Sequence, residues 1–388
     1  MTLAKQISSC LVAIIFIFNN INGSNSRATP SNPQKQFNAS QNVTTIKTKY
    51  GDIYDCVDFY EQPAFKHPQL KNHKFYPEMR PNFIPNITST MKINFETSKL
   101  HVFEDGGCPS GTVPIRRLSE EDRSRAAYFS EAKTNVIRKS TNEQLGPPGT
   151  HYAIVQTKSG PNPPNYYGVG ADLSVWNPRV KQNQYSASQL TIQNGLDSLQ
   201  VGWMVNPTMY KDDRTHIFIH TNAGGLHCYN TYCPGFVIVR SDIPPDSVIE
   251  GYTERGKVAR LIKFFIYREI TSENWWLLAT EDQTPIGFWP NNIFTTLNKY
   301  GTYISCGGET YSPLDQPGGL PPMGSGAYPV NIPEQDAFAA HFETADDKLK
   351  VINVDGTEKF MDTKKYIVHD LGIMGAAGHA LYFGGYGG

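Results

Sequence analysis

Residues 196–207 read LDSLQVGWMVNP, and in them Leu199, Val201, Trp203 and Val205 alternate with Gln200, Gly202 and Met204. Successive side chains leave a pleated backbone on opposite sides, so this alternation predicts a β-strand with one face in a core. The other face carries a glutamine and, two positions on, the one residue without a side chain. Room is left there beside a polar group.

The same rhythm recurs from residue 149 onward. YGVGADLSVW, YSASQLTIQ, THIFIHT, GFVIVR, ARLIKFFIYREI, NWWLLAT, TYISCGGETY and LKVINVD are short, aromatic and β-branched, and turn sequences such as Asn-Gly, Pro-Pro and Asp-Gly separate them. Spacing of this kind predicts an all-β fold, an antiparallel sandwich or barrel. There is no βαβ rhythm and no repeat period.

Ahead of this region, NEQLGPPGT at 142–150 sets Pro147-Pro148 between two glycines and reads as an exposed hinge. Before the hinge, Ser119 followed by Asp122 has the form of a capping box, and EEDRSRAAYFSEAKTNVIRKS runs on without Gly or Pro. That stretch predicts a helix. Residues 24–45 are Ser, Asn, Gln, Thr and Pro with little apolar content, as in a disordered linker. At the start, Lys5 precedes the apolar run CLVAIIFIF from Cys10 to Phe18, which reads as a secretory signal peptide cut near Gly23 or Ser24. The run is far shorter than the roughly 20 residues that span a bilayer.

Export gives meaning to the sequons at Asn38, Asn42 and Asn86, whereas Asn206 is excluded by Pro207. It also bears on the 6 cysteines, of which Cys10 leaves with the signal. In an oxidising compartment Cys56 with Cys108 and Cys228 with Cys233 are the natural pairs by position, leaving Cys306 unpaired, although spacing alone does not fix connectivity. The 388 residues carry a formal charge of -1, which offers no basic field for nucleic acid and no polybasic membrane patch.

Several motifs are weak. GVGADL at 168–173 lacks the third glycine of a dinucleotide loop, and Met323 before Gly324-Ser325-Gly326 stands where a nucleophile elbow needs glycine. His216, Phe218 and His220 share a strand face, with His227 and Cys228 close behind. Without HExxH or a clear fourth ligand they read as packed or solvated histidines rather than a metal site. In TYISCGGETY, Ile304, Cys306 and Gly308 share one face while Tyr303, Ser305, Gly307 and Glu309 share the other, so Cys306 reads as a buried small hydrophobe and not a nucleophile. Glu309, like Gln200, sits two positions from a glycine on the less apolar face.

The ordered set DCVDFYEQPAFKHPQLKNHKF, MRP and CPSGTVPIRR resembles the activation-peptide module of the plant neprosin family. VWNP, YSASQL, QVGWMVNPTMY, CYNTYCPGF, NWWLLA, GFWP, CGGE, MGSG and YFGGYGG resemble its catalytic module. The resemblance implies a glutamic peptidase: a secreted zymogen with a sandwich of two packed antiparallel sheets, jelly-roll-like, behind a small α+β propeptide. It implies an endopeptidase that cuts after proline at acid pH, uses no cofactor and is freed from its own propeptide. The organisation is then signal peptide 1–24, linker and activation propeptide 25–148 and sandwich 149–388, with release near Pro147-Pro148 and an extracellular, apoplastic or secretory-pathway location.

The family's two catalytic glutamates fall, by this match, on Gln200 and Glu309. A glutamine donates a hydrogen bond through its amide without needing a proton and cannot act as a base, so Glu309 becomes the general base and Gln200 the oxyanion donor. This is the residue pairing of the fungal glutamic peptidases. The alternative is a catalytically inactive, neprosin-like binding protein of the extracellular space or cell wall. Other positions depart from the family pattern. Cys306 and Ser305 replace a Trp and an acidic residue, Ile219-His220 replaces a Tyr-Trp pair, Lys211 replaces a glycine, and a cysteine is missing near Tyr366.

Overall fold

Strand Asp197–Val205, which contains the opening stretch, lies inside a seven-stranded antiparallel sheet. Its order is Leu226–Tyr229, Thr215–Ala223, Asp197–Val205, Tyr185–Asn194, Tyr303–Tyr311, Thr150–Thr157 and Thr357–Met361. The Tyr303–Tyr311 strand inserts between strands that come much earlier in the chain, so the sheet is closed by crossovers and not by hairpins alone. A second, ten-stranded sheet is built around Arg260–Arg268, Gly168–Ser174 and Ala337–Ala345. The computed structural model describes residues 44–87, 95–100, 103, 106–132, 148–279 and 282–388. The expected signal segment, Asn38, Asn42, Pro147 and the part of the expected helix after Ala132 lie outside the described residues.

The two sheets pack face to face, which is the expected β-sandwich. Leu199, Val201 and Trp203 from the seven-stranded sheet meet Val169, Leu173, Ile262 and Phe264 from the other in one buried cluster. Close-packed burial of this kind supplies most of the stability, about 1.5–3 kcal/mol for each large aliphatic side chain removed from water. Two indoles also bridge the layers by hydrogen bonds. Trp203 Nε1 donates to the Ser174 carbonyl at 2.8 Å, and Trp289 Nε1 donates to Thr221 Oγ1 at 2.6 Å. Each satisfies a buried donor that would otherwise be costly. Cys306 is in this core, free and fully buried, and burial pushes its thiol far above the ordinary range.

The N-terminal part has its own small sheet, Thr45–Lys47, Ile53–Asp58 and Thr112–Arg116, stapled by the Cys56–Cys108 disulfide. The second expected disulfide, Cys228–Cys233, is also formed. Helix Glu120–Ala132 starts with the capping box read from the sequence. Asp122 N donates to Ser119 Oγ at 3.2 Å, and Ser119 N donates back to Asp122 Oδ2 at 2.9 Å. Asn86 has an exposed side chain, as a sequon needs.

This N-terminal part is interwoven with the sandwich, and residues 43–388 form one unit. Glu96–Thr97 adds to the ten-stranded sheet parallel to Arg260–Arg268, and Lys99–Leu100 pairs with Ile249–Glu250. Buried Arg116 reaches Asp246 at 3.6 Å, and Tyr54 donates to the same carboxylate at 3.1 Å. Among the described residues no helix is long and apolar enough to cross a membrane.

Candidate active site

Register arranges the outer face of the seven-stranded sheet in rows across the strands. One row runs His220, Gln200, Thr191, Ser305 and Gln156. The next runs Phe218, Gly202, Gln189, Gly307 and Ile154, and the third runs Met204, Ala187, Glu309 and Tyr152. Gln200 and Glu309 are therefore two rows apart, with both glycines in the row between. Across that row their side chains meet: Gln200 Nε2 donates to Glu309 Oε2 at 2.8 Å.

The glycines explain why the contact is possible. A Cβ on Gly202 would lie 1.9 Å from the Ser188 carbonyl oxygen, so the strand from Tyr185 has closed to a distance no side chain permits. Gly307 has φ +144 and a Cβ there would lie 2.5 Å from the Ala153 carbonyl oxygen, a conformation and a spacing open only to glycine. With both side chains absent, Gln200 and Glu309 lean over bare backbone.

Glu309 is fully buried and Gln200 is 6% exposed. The second carboxyl oxygen of Glu309, Oε1, accepts from the Tyr185 hydroxyl at 2.5 Å. Burial, and next the Glu309 charge, hold the Tyr185, Tyr152 and Tyr229 phenols well above their ordinary range, so they serve as hydrogen donors or neutral walls. Tyr185 stacks on Tyr311 with ring centroids 5.5 Å apart, and the Tyr311 hydroxyl meets that of Tyr128 on helix Glu120–Ala132 at 3.1 Å. Lys211 pairs with Asp122 at the start of the same helix, at 2.8 Å. Thus the N-terminal part contacts the ring that orients Tyr185.

Gln200 opens into a cleft whose lining includes Gln189, Thr191, Ser198, Asn222, Tyr303 and Ser305. Its walls mix amide, hydroxyl and imidazole groups with the apolar faces of Tyr152, Ile154, Leu196 and Tyr303. The lone motif histidines separate here. His216 is packed, stacked on Tyr210 at 4.0 Å, with its ring nitrogens each 3.0 Å from the Asp246 carbonyl and the Asp212 carboxylate. His220 and His227 instead line the cleft. Among the described residues no cluster of His, Cys, Asp or Glu has the arrangement of a metal site.

The structure sets Gln200 against Glu309 and places Cys306 in the core, whereas Tyr185 and the position of His220 and His227 were not read from the sequence. Tyr185 was findable in principle, because Tyr185, Ala187, Gln189 and Thr191 alternate in YSASQLTIQ as Gln200 and Gly202 do. What was lacking is the register that pairs this strand with Tyr303–Tyr311.

The fold and site define a two-sheet sandwich of mainly antiparallel strands with one carboxamide lining a cleft and one buried carboxylate bonded to it. The chain belongs to the neprosin family: the Neprosin family model matches residues 182–386, and the model for the Neprosin activation peptide matches residues 45–156. Among solved structures, the chain is similar to scytalido-glutamic peptidase in complex with a peptide-based transition state analogue, at 8% identity and TM-score 0.35, over 61% of this chain and 97% of that one. It is also similar to a beta-porphyranase from the human gut bacterium Bacteroides plebeius, at 9% identity and TM-score 0.19, over 42% of this chain and 66% of that one. Both likenesses are distant, and the chemistry rests on the geometry above.

Proposed function

We propose that the protein is a secreted glutamic endopeptidase, made as a proenzyme, that cleaves peptide chains after proline at acid pH. The observation that carries the reading is the 2.8 Å contact between the Gln200 amide, which lines the cleft, and the Glu309 carboxylate buried behind it. Glu309 takes a proton from a water molecule, whose oxygen attacks the scissile carbonyl. The Gln200 amide carries a second N–H hydrogen, and this donates to the oxyanion that forms. Tyr185, bonded to the other Glu309 oxygen, fixes the carboxylate plane. As the tetrahedral intermediate collapses, Glu309 returns the proton to the leaving amine nitrogen. Tyr152, Ile154 and Tyr303 give the cleft an apolar wall for a prolyl ring.

The N-terminal part acts as the propeptide, with release near Pro147-Pro148. Pro148 is exposed, and Gly149 stands next to the first sandwich strand, Thr150–Thr157. The two disulfides and the expected signal segment support export to the extracellular space. The test is cleavage of a proline-containing reporter peptide by the secreted protein after incubation at acid pH. Cleavage should follow proline and disappear in Glu309→Gln, whose unfolding temperature stays near that of wild type. Equal cleavage by the variant would remove Glu309 from the chemistry, and a mature N-terminus far from the hinge would remove the proposed maturation site.

A further inference from the structure

The ten-stranded sheet carries a buried group of titratable side chains on the face opposite its core. Ile262 and Phe264 point into the core, so Lys263 between them points out, and the same alternation turns Asp172 outward between Ala171 and Leu173. Lys263 and Asp172 stand opposite each other on the neighbouring strands Arg260–Arg268 and Gly168–Ser174. His341 and Glu343 join them from Ala337–Ala345, at a β-bulge. All four are less than one-tenth exposed, and none lines the cleft. Among the described residues the Lys263 ammonium makes no hydrogen bond, and its ion-pair contact is Asp172 Oδ1 at 3.4 Å. The other carboxyl oxygen, Oδ2, lies 2.7 Å from His341 Nδ1, and His341 Nε2 lies 2.9 Å from the Ala376 carbonyl. Burial pulls the imidazole down, but Asp172 outweighs it and the net shift is upward, which favours an N–H donor on Oδ2.

A buried ammonium without hydrogen bonds is costly to keep. The surroundings exclude the water that would relieve it. Ala340, the register partner of Asp172 on the other side, belongs to an apolar cluster with Phe338 and Tyr382, against which Leu261 and Phe95 pack. Two positions along from Asp172, the Phe265 ring lies over Gly170, where a Cβ would come 2.1 Å from it. Glu343 stands opposite that glycine. Burial pushes its carboxyl up to about 7, against the pull of Lys263 and His341, so it carries a proton below neutral pH. An amine, a carboxyl group and a proton donor are thus held together out of water. Fixed contact of this kind acts as an effective concentration of about 10⁵–10⁸ M for a reaction between the partners.

We infer that Lys263 and Asp172 condense into an intramolecular amide, an isopeptide bond between the two strands, with Glu343 as the proton carrier. The inference does not depend on the peptidase reading. The ammonium passes one proton to Asp172 Oδ1, and the freed lone pair on Nζ attacks Cγ. A bond forms between Nζ and Cγ, and the negative charge gathers on Oδ2, where the His341 N–H meets it. Glu343 then gives its proton to the Oδ1 hydroxyl, the bond from Cγ to Oδ1 breaks, and water leaves. The Glu343 carboxylate recovers a proton from the new amide nitrogen and ends as it began. Ammonium and carboxylate have become one amide and one water, with no oxidant, reductant or other reactant consumed. The product ties together the two strands at the middle of the ten-stranded sheet, and removes both buried charges.

The experiment is a peptide map of the folded full-length protein, reduced, digested with trypsin and read by mass spectrometry. Trypsin does not cut after an acylated lysine, so residues 261–268, LIKFFIYR, should stay whole and be joined to residues 159–179, which contain Asp172. The branched species should weigh less than the two peptides together by one water, about 18 Da, and fragmentation should place the branch at Lys263 and Asp172. In Glu343→Gln, which cannot carry the proton, the bond should form about 10²–10⁴-fold more slowly, leaving free LIK and FFIYR. If Glu343→Gln does not fold, Glu343→Asp, which draws the carboxyl back by one methylene, takes its place with the same direction of effect. A wild-type map with free LIK and FFIYR and no branched species overturns the inference, as does a loss of water confined to a single peptide. A branched species that forms equally fast in the folded Glu343 variant overturns the role given to that residue.

Discussion

Gln200→Glu places a second carboxyl group where the amide nitrogen now lies, 2.8 Å from Glu309 Oε2. At that separation and an effective dielectric near 20, two carboxylates repel by about 6 kcal/mol, equivalent to about four pH units of coupling between their protons. The variant therefore keeps one shared proton over a span in which the wild-type pair needs none. Two consequences can be read. The pH–rate profile of the variant should acquire an alkaline limb, falling about tenfold per pH unit above the second ionisation of the pair, because its donor works only while protonated. The wild-type amide donates at any pH and should show no such limb from this source. In stability the sign follows from linkage. The shared proton is held more tightly in the folded than in the unfolded chain, so the deficit of the variant is absent below about pH 4.3 and grows as pH rises, by at most about 1.4 kcal/mol per unit. The assays are kcat/KM from pH 2 to 8 and unfolding temperature over the same range. Superimposable profiles with equal stability at pH 7 would refute the contact and the reasoning built on it.

Tyr185→Phe removes the donor on Glu309 Oε1 and leaves the ring stacked on Tyr311. It should lower kcat by about ten- to a hundredfold with KM little changed, since a hydrogen bond to a charged group is worth about 1.5–3 kcal/mol; an unchanged kcat contradicts the orienting role. Gly307→Ala adds a Cβ 2.5 Å from the Ala153 carbonyl oxygen at φ +144, a strained placement that should cost about 1–3 kcal/mol for the backbone alone. Urea unfolding reads this loss, and a variant as stable as wild type would contradict the close approach. His379 offers a pH test away from the cleft. Its Nε2 lies 2.8 Å from Asp370 Oδ1 and its Nδ1 lies 2.6 Å from the Val354 carbonyl, so both nitrogens face acceptors. Burial pulls the imidazole down, but Asp370 and the carbonyl outweigh it and the net shift is upward. Burial likewise pushes the Asp370 carboxyl up, and the bonds from His379 and Thr357 bring it down to about 2. The histidine contribution is whole below its unfolded value near 6.5 and is lost as pH rises through the raised folded value; the aspartate contribution is whole above about 3.8 and is lost as pH falls through about 2. The stability difference between wild type and His379→Gln should be flat from about pH 4 to 6.5 and shrink on either side. A difference that grew from pH 6.5 to 8 would contradict the pairing.

Much of this was legible in the sequence, for local reasons. Period-two alternation in LDSLQVGWMVNP and TYISCGGETY placed Trp203 and Cys306 in the core and Gln200 and Glu309 on the opposite face, because facing depends only on the pleat. The capping box at Ser119 and Asp122 was visible because both residues belong to one turn of chain. Features that depend on distant pairing were not visible. Glu96–Thr97 and Lys99–Leu100 are too short to show any period, so their pairing with Arg260–Arg268 and Ile249–Glu250 left no local signal. His220 and His227 share a face only once the Thr215–Ala223 and Leu226–Tyr229 strands are set in register. The donor from Tyr185 to Glu309 spans 124 positions in sequence and is made by strand order alone.

The proposed chemistry is hydrolysis of a peptide bond by Gln200 and Glu309 together. The most direct measurement is intact-mass analysis of the full-length protein incubated from pH 2 to 7 with a proline-containing reporter peptide, with Glu309→Gln alongside. The expected result is a cut after proline by wild type only, persisting toward pH 6 because the amide donor needs no proton. A folded wild-type protein, freed of its N-terminal part, that cuts nothing at any of these pH values would contradict the account.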